Sequence, residues 1–225
     1  MGFVVTFDIE SIPLEDSELS AVQLSEKERK AENYLKLLTN NATKQEALDL
    51  IGGTSPIFGR IAVLGIDLFN DATNVHKSFS LTAATLADEK ELLINFYSLL
   101  GQIPSRAATY VHYNGLNFDV PFILRRSMYW NVPVAVNAFL QVKKFSPKPH
   151  FDVKEWLSNW NNMNSITLEL ACDFFGIASP KEGEVKASGV YKAFKEGKLA
   201  EIAEYCMRDV KATFELYMKL KDYVY

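Results

Sequence analysis

Five side chains in this sequence could do chemistry together: Asp8, Glu10, Asp119, Tyr205 and Asp209. The first two sit in Phe3-Val-Val-Thr-Phe-Asp-Ile-Glu10, a β-branched and aromatic stretch that reads as a strand. Side chains alternate across a strand, so Val4, Thr6, Asp8 and Glu10 share one face and Phe3, Val5, Phe7 and Ile9 the other. Two carboxylates at the end of an apolar strand are costly to bury as ions without a countercharge. Mg²⁺ or Mn²⁺, hard cations that prefer carboxylate oxygen, would supply one; a strand that simply ends in water would need none. Asp119 closes Asn114-Gly-Leu-Asn-Phe-Asp119, at the exit of a strand, where open α/β sheets present their ligands. Just before Pro121 it would serve equally as a helix N-cap. Tyr205 and Asp209 are four apart on a helix and so share a face, or form a half-buried tyrosine beside a surface acid. Two-metal phosphoryl chemistry needs carboxylates from several elements, holding cations about 3.5–4 Å apart. The four acids supply this from a strand, a strand exit and a helix, and the Tyr205 hydroxyl could orient an attacking water.

Asp8-x-Glu10, Asn114-x-x-x-Phe118-Asp119 and Tyr205-x-x-x-Asp209 resemble, in order and rough spacing, the three motifs of the DEDD 3′–5′ exonucleases. The tyrosine four residues before the last acid matches the tyrosine subgroup. Phe-Asp-Ile-Glu10 and Glu204-Tyr-Cys-Met-Arg-Asp-Val210 look closest to the exonuclease domains of family B DNA polymerases and to predicted stand-alone bacterial exonucleases related to them. The resemblance runs from Phe3 to about Leu220. It implies an α/β, ribonuclease H-like fold, a mixed β-sheet flanked by helices. It implies removal of nucleotides from the 3′ end of single-stranded DNA by two-metal-ion hydrolysis. Asp8, Glu10, Asp119, Tyr205 and Asp209 would be catalytic, the four acids would hold two divalent cations (Mg²⁺ or Mn²⁺), and Asn114 and Phe118 would contact substrate. The preference for DNA rests on the resemblance alone. An exoribonuclease, or a catalytically silent ribonuclease H-like module that binds nucleic acid, are the alternatives; no carboxylate of the motif is missing. His76, His112 and His150 do not match the histidine subgroup's base and read as ordinary strand or loop residues. Asp152 and Lys186 read as solvated surface groups.

These residues need a scaffold, and the pattern provides one. Residues 61–68 are a nearly continuous apolar strand, expected in the middle of a covered sheet. Residues 75–81 and 108–113 are further strands. Asp88-Glu-Lys-Glu91 opens a helix carrying Leu92, Leu93, Phe96, Leu99 and Leu100, and Pro121 lies in the first turn of another. Residues 167–175 are helical and stop at Gly176, and the last helix spans about 199–223 with Ile202, Cys206, Val210 and Phe214 in its apolar stripe. Ser11-Ile-Pro-Leu14 interrupts the first strand. Residues 15–53 then form a helical insertion between strands one and two, with capping boxes at Ser25-Glu-Lys-Glu28 and Thr43-Lys-Gln-Glu46 and a stop at Gly52-Gly53. Residues 132–164 carry no readable pattern beyond a helix-like run from Asp152, and residues 181–189 read as a polar loop. The whole of 1–225 is expected to be one exonuclease domain.

With 225 residues, 15 Phe and 10 Tyr, the chain has ample core. A net charge of −4 argues against coating nucleic acid electrostatically. Grip would be local, with Arg125, Arg126, Lys143, Lys144, Lys148 and Lys186 as candidate cations. Cys172 and Cys206 read as reduced core thiols in a cytoplasmic protein. No run is long and apolar enough to suggest a membrane span.

Overall fold

The N-terminal β-branched stretch forms the middle of a five-stranded sheet in a computed structural model that describes residues 2–37, 42–104, 107–180 and 189–224. Strands β1 (Phe3–Pro13), β2 (Gly59–Asn70), β3 (Val75–Thr82), β4 (Ala108–His112) and β5 (His150–Asp152) lie in the order β3-β2-β1-β4-β5. β1 runs antiparallel to β2, and β2 antiparallel to β3, whereas β4 is parallel to β1 and β5 parallel to β4. The sheet is therefore mixed, as expected, with the catalytic candidate strand at its centre.

Helices cover both faces. On one face Val5, Phe7 and Ile9 pack with Leu64, Ile66 and side chains of α3 (Asp88–Gly101) and α4 (Asp119–Trp130), including Leu92, Phe96 and Phe122. Each such fully buried side chain contributes roughly 1.5–3 kcal/mol. On the other, Val4, Phe69, Val111 and Phe151 meet α6 (Leu168–Phe175) and α8 (Leu199–Leu220) through Cys172, Leu216 and Tyr217. Ile12 and Val63 extend this face under α7 (Val190–Lys195) and α8. Buried Glu89 ties the first face together: it accepts from the Ile61 amide at 2.7 Å, Arg126 Nη2 at 2.6 Å and Trp130 Nε1 at 2.7 Å. Arg126, expected as a substrate-gripping cation, is thus committed to a buried pair and unavailable to a ligand.

Several expected boundaries differ. β1 does not stop at Glu10; it crosses a bulge between Glu10 and Ser11 and pairs through Pro13 with Gly59. A proline is tolerated there because a strand's last residue need not donate to the ladder. In the insertion, α1 (Ala21–Leu37) begins earlier than expected: the Ser20 Oγ accepts from the Gln23 amide and Gln23 Oε1 from the Ser20 amide. Ser20, not Ser25, is the cap, and Ser25 lies inside the helix. The Thr43–Glu46 box does open α2 (Lys44–Thr54). Gly52 and Gly53 do not end that helix but sit inside its last turn. A Cβ on Gly52 would come within 2.8 Å of the Pro13 Cβ, so the glycine lets α2 lie directly on the end of β1. The run from Asp152 becomes β5 followed by α5 (Val153–Leu157), with Asp152 as its cap. Residues 181–188 of the expected polar loop, Lys186 among them, lie outside the described residues. No described helix is long and apolar enough to cross a membrane.

Candidate active site

Asp8 and Glu10 project from the middle of the sheet toward α8, and α8 can approach because Gly65, opposite Asp8, has no side chain. A Cβ there would lie 2.9 Å from Cys206 Sγ and 3.1 Å from Val210 Cγ2. This close contact brings Tyr205 and Asp209 to the strand. Asp119 enters from the other side. Its Oδ1 accepts from the Ile9 amide at 3.0 Å, which pins the start of α4 to β1 between the two strand acids. Asp119 is the first residue of α4, with Phe118 in the cap position; its carboxylate serves β1 through that bond.

The acids bear on one another's protonation. Burial raises the Asp8 carboxyl well above its ordinary value, and the charges of Asp119, Glu10 and Asp209 raise it further. Burial likewise raises Glu10, reinforced by Asp209 and Asp119. Asp119 is pushed up to about 7 by burial, against the lowering influence of His112 and the Ile9 amide. The Tyr205 phenol is pushed up by burial and then by Asp209, Glu10 and Asp8, and it hydrogen-bonds to Asp209. Four carboxylates from β1, α4 and α8 therefore act on one another, Glu10 and Asp119 buried and Asp8 and Asp209 half-buried, with a neutral phenol beside them.

Such a set is frustrated unless a cation joins it. Ligand atoms of Asp8, Glu10 and Cys206 lie within 4.8 Å of one another. Cys206 Sγ lies 3.4 Å from the Asp8 carbonyl and 3.5 Å from its Oδ2. Burial and the charges of Asp8 and Glu10 hold that thiol protonated, whereas metal binding requires a thiolate. The oxygens remain as donors, and an all-carboxylate set suits hard Mg²⁺ or Mn²⁺. Cys206 was expected only as core; its contact with Asp8 follows from its place next to Tyr205 in the last motif.

The loop after β4 is held by Asp152. This residue is fully buried, not solvated, and accepts from the Asn114 amide at 2.9 Å, the Leu116 amide at 2.9 Å and the Glu155 amide at 3.3 Å. These bonds and His112 hold its pKa down, against burial, the largest influence on it. Asn114 adopts a left-handed φ of 66°, which asparagine tolerates, and its Oδ1 accepts from Lys154 Nζ at 3.1 Å. Phe118 is half-buried and packs on Phe122. His112 and His150 are buried partners, 3.2 Å apart between Nε2 and Nδ1. Burial lowers His150 to about 3, so it is neutral and structural in character. His76, on the edge strand β3, bonds Asp67 at 2.8 Å and packs against Phe214 of α8. Of the remaining candidate cations, Arg125, Lys143, Lys144 and Lys148 are exposed, and Arg125 donates to the Pro121 carbonyl.

Residues 57–224 match the family described as a predicted 3′–5′ exonuclease related to the exonuclease domain of PolB. The chain belongs to that family. A DNA polymerase of Pyrococcus horikoshii is 31% identical over 119 residues, covering 47% of this chain and 9% of the polymerase. A DNA polymerase of Pyrococcus glycovorans is 25% identical over 144 residues, covering 58% of this chain and 18% of that protein. The chain thus spans less than a fifth of either relative. A solved family B DNA polymerase from the hyperthermophilic archaeon Pyrobaculum calidifontis superposes with a TM-score of 0.62 at 17% identity, covering 98% of this chain and 25% of that one. That likeness shows the fold, the ribonuclease H-like sheet and helices of a PolB-like exonuclease domain. The family match starts after β1, α1 and α2, so the strand carrying Asp8 and Glu10 and the helical insertion lie outside it.

Proposed function

We propose that this chain is a metal-dependent 3′–5′ exonuclease that shortens single-stranded DNA. The observation that carries the reading is the gathering of Asp8, Glu10, Asp119 and Asp209 from three separate elements: Asp119 is bonded to the Ile9 amide between the two strand acids, and α8 packs on Gly65 opposite Asp8, with Glu10 and Asp119 buried and Asp8 and Asp209 half-buried. Membership of the exonuclease family supports it. Asp8, Glu10, Asp119 and Asp209 would hold two divalent cations. Bound there, such cations neutralise charge developing on phosphate oxygens and lower the pKa of water. The protein's own part is orientation. The Asp119–Ile9 bond fixes the first helical turn against the strand, and Gly65 lets α8 carry Tyr205 and Asp209 to the same place. The Tyr205 phenol stays protonated with its proton directed at Asp209, and its oxygen can accept from, and so position, an incoming water. Phe118 lies beside Glu10, and Asn114 opens the same loop, whose amides Asp152 binds; both are suited to hold the terminal nucleotide. DNA is favoured over RNA because the relatives are DNA polymerases, and among the described residues no side chain visibly reads a 2′-hydroxyl.

The test is a time course on matched 5′-labelled DNA and RNA single strands with Mg²⁺ or Mn²⁺. The expected result is a ladder shortening from the 3′ end of DNA, without sequence preference, abolished by chelator. Faster shortening of RNA makes the protein an exoribonuclease. Shortening of neither, with binding retained, makes it a silent nucleic-acid-binding module.

A further inference from the structure

A groove of about 1060 Å³ leads from the acids to the helical insertion. Ile9, Glu10 and Phe118 line it, so it reaches the site at Glu10 and at the residue before Asp119. Small-molecule pockets run to roughly 300–1,000 Å³, so this groove has room beyond a single nucleotide. Its two long walls differ in charge. The α2 wall presents Glu46, Asp49 and Leu50, joined by Tyr34 of α1; the α7 wall presents Tyr191, Lys192 and Lys195. Lys195 pairs with Glu15 at 3.1 Å and lies 5.4 Å from the centre of the Tyr191 ring, and Lys192 is exposed. Glu46 caps its own helix through Thr43, and the Asp49 carboxylate accepts from Gln45.

A single strand of nucleic acid has the same two-sidedness, phosphates along one edge and flat bases along the other. We infer that this groove holds the single-stranded segment leading to the 3′ terminal nucleotide, phosphates along α7 and bases against Tyr34, Leu50 and Phe118, and that the acidic α2 wall excludes a second strand. Aromatic stacking accepts any base, which suits a groove without visible base-reading groups. A paired strand would set a second row of phosphates against Glu46 and Asp49, and like charges facing each other across an interface suppress the wrong partner. The inference rests on the nuclease reading for the direction of the strand. The α1–α2 wall itself lies outside the stretch matched to the family.

The experiment measures binding separately from cleavage. A fluorescein-labelled octanucleotide with phosphorothioate linkages at its 3′ end is titrated with the full chain in Mg²⁺ and followed by anisotropy. Lys192→Glu is expected to weaken binding roughly tenfold and to reduce the salt slope by about 0.7, as loss of a phosphate contact on a single strand does. Tyr34→Ala is expected to weaken it roughly tenfold through lost stacking. Lys219→Glu, an exposed position at the far end of α8, is expected to change it less than about twofold. Asp49→Lys is expected to improve binding to a blunt duplex and so reduce discrimination against it. Absence of binding by the parent, equal weakening by Lys192→Glu and Lys219→Glu, or unchanged binding in both groove variants would overturn the inference. If the parent binds as expected but shortens no strand, the nuclease reading falls and the groove stands. If it shortens strands while the groove variants bind like the parent, the reverse holds.

Discussion

Asp8→Asn keeps the shape of a side chain and removes one of the charges on which a pair of cations would depend. It and Asp209→Asn are expected to abolish nearly all hydrolysis. Tyr205→Phe deletes only a positioned hydroxyl, worth about 10²–10⁴-fold for groups of that kind, and should leave measurably more activity than either. Initial rates of the three variants decide this; a Tyr205→Phe enzyme as fast as the parent reduces the phenol to packing. The raised carboxyls give a second, non-catalytic readout. An acid whose folded pKa lies above its unfolded value of about 4 keeps a proton that the unfolded chain has released. Its stabilisation is therefore present below about pH 4 and lost as pH rises toward the folded value, about 7 for Asp119. A bound cation removes that loss, so Mn²⁺ should raise the Tm of the protein more at pH 8 than at pH 5. His150 has the opposite sign, its contribution being lost as pH falls toward about 3, but it cancels in the comparison with and without cation. Equal Mn²⁺ shifts at both pH values would place the ion elsewhere. The acids were legible in the sequence because chemistry fixes both their type and their spacing. The roles of Asp152 and Arg126 were not, because a long-range partner decides whether a charged side chain is surface or core. Nothing local announces that Arg126 meets Glu89, 37 residues away.

At the scale of elements, the site depends on how closely α8 lies against β2. Gly65→Ala places a Cβ 2.9 Å from Cys206 Sγ and 3.1 Å from both Met207 Sδ and Val210 Cγ2. The two sulfur atoms can give a little; Val210, fully buried, cannot. Overpacking of this kind costs typically about 1–3 kcal/mol. Because the displaced helix carries Tyr205 and Asp209, hydrolysis should fall by more than the stability change alone explains. Urea denaturation together with kcat checks this. A variant that is destabilised yet fully active at low temperature would show that the acids tolerate movement of α8. The helices and the three long strands were readable because they carry full periods of apolar residues. β5, three residues long, and α7, six, are too short for periodicity to register; β5 exists because β4 offers it a free edge. The continuation of β1 through Pro13 was hidden by a proline that usually ends a strand, and was decided by pairing with Gly59 and cover from α2. The Ser20 cap was missed because Ser25 begins an equally good local box, and only packing selects between them.

For the molecule as a whole, a net charge of −4 sets the terms of binding. A strand can be held only where local cations outweigh the general repulsion, so few phosphates should be neutralised at once. For single strands the slope of log K against log salt is about −0.7 per phosphate contacted. A groove that offers Lys192 and Lys195 to phosphates predicts a slope of about −1 to −2. Binding of a noncleavable single-stranded octanucleotide, measured by anisotropy from 50 to 300 mM KCl, tests this. A slope steeper than about −5 would require more contacts than the groove between α2 and α7 offers. The strand would then have to continue over a second basic surface, and exposed Lys143, Lys144 and Lys148, beside the solvent-facing Phe145 ring packed at a tilt on Trp160, are the group that would supply it. Reversing those three lysines to glutamate would return the slope to the shallow value if that path exists, and leave it unchanged if the groove is the whole of the binding site.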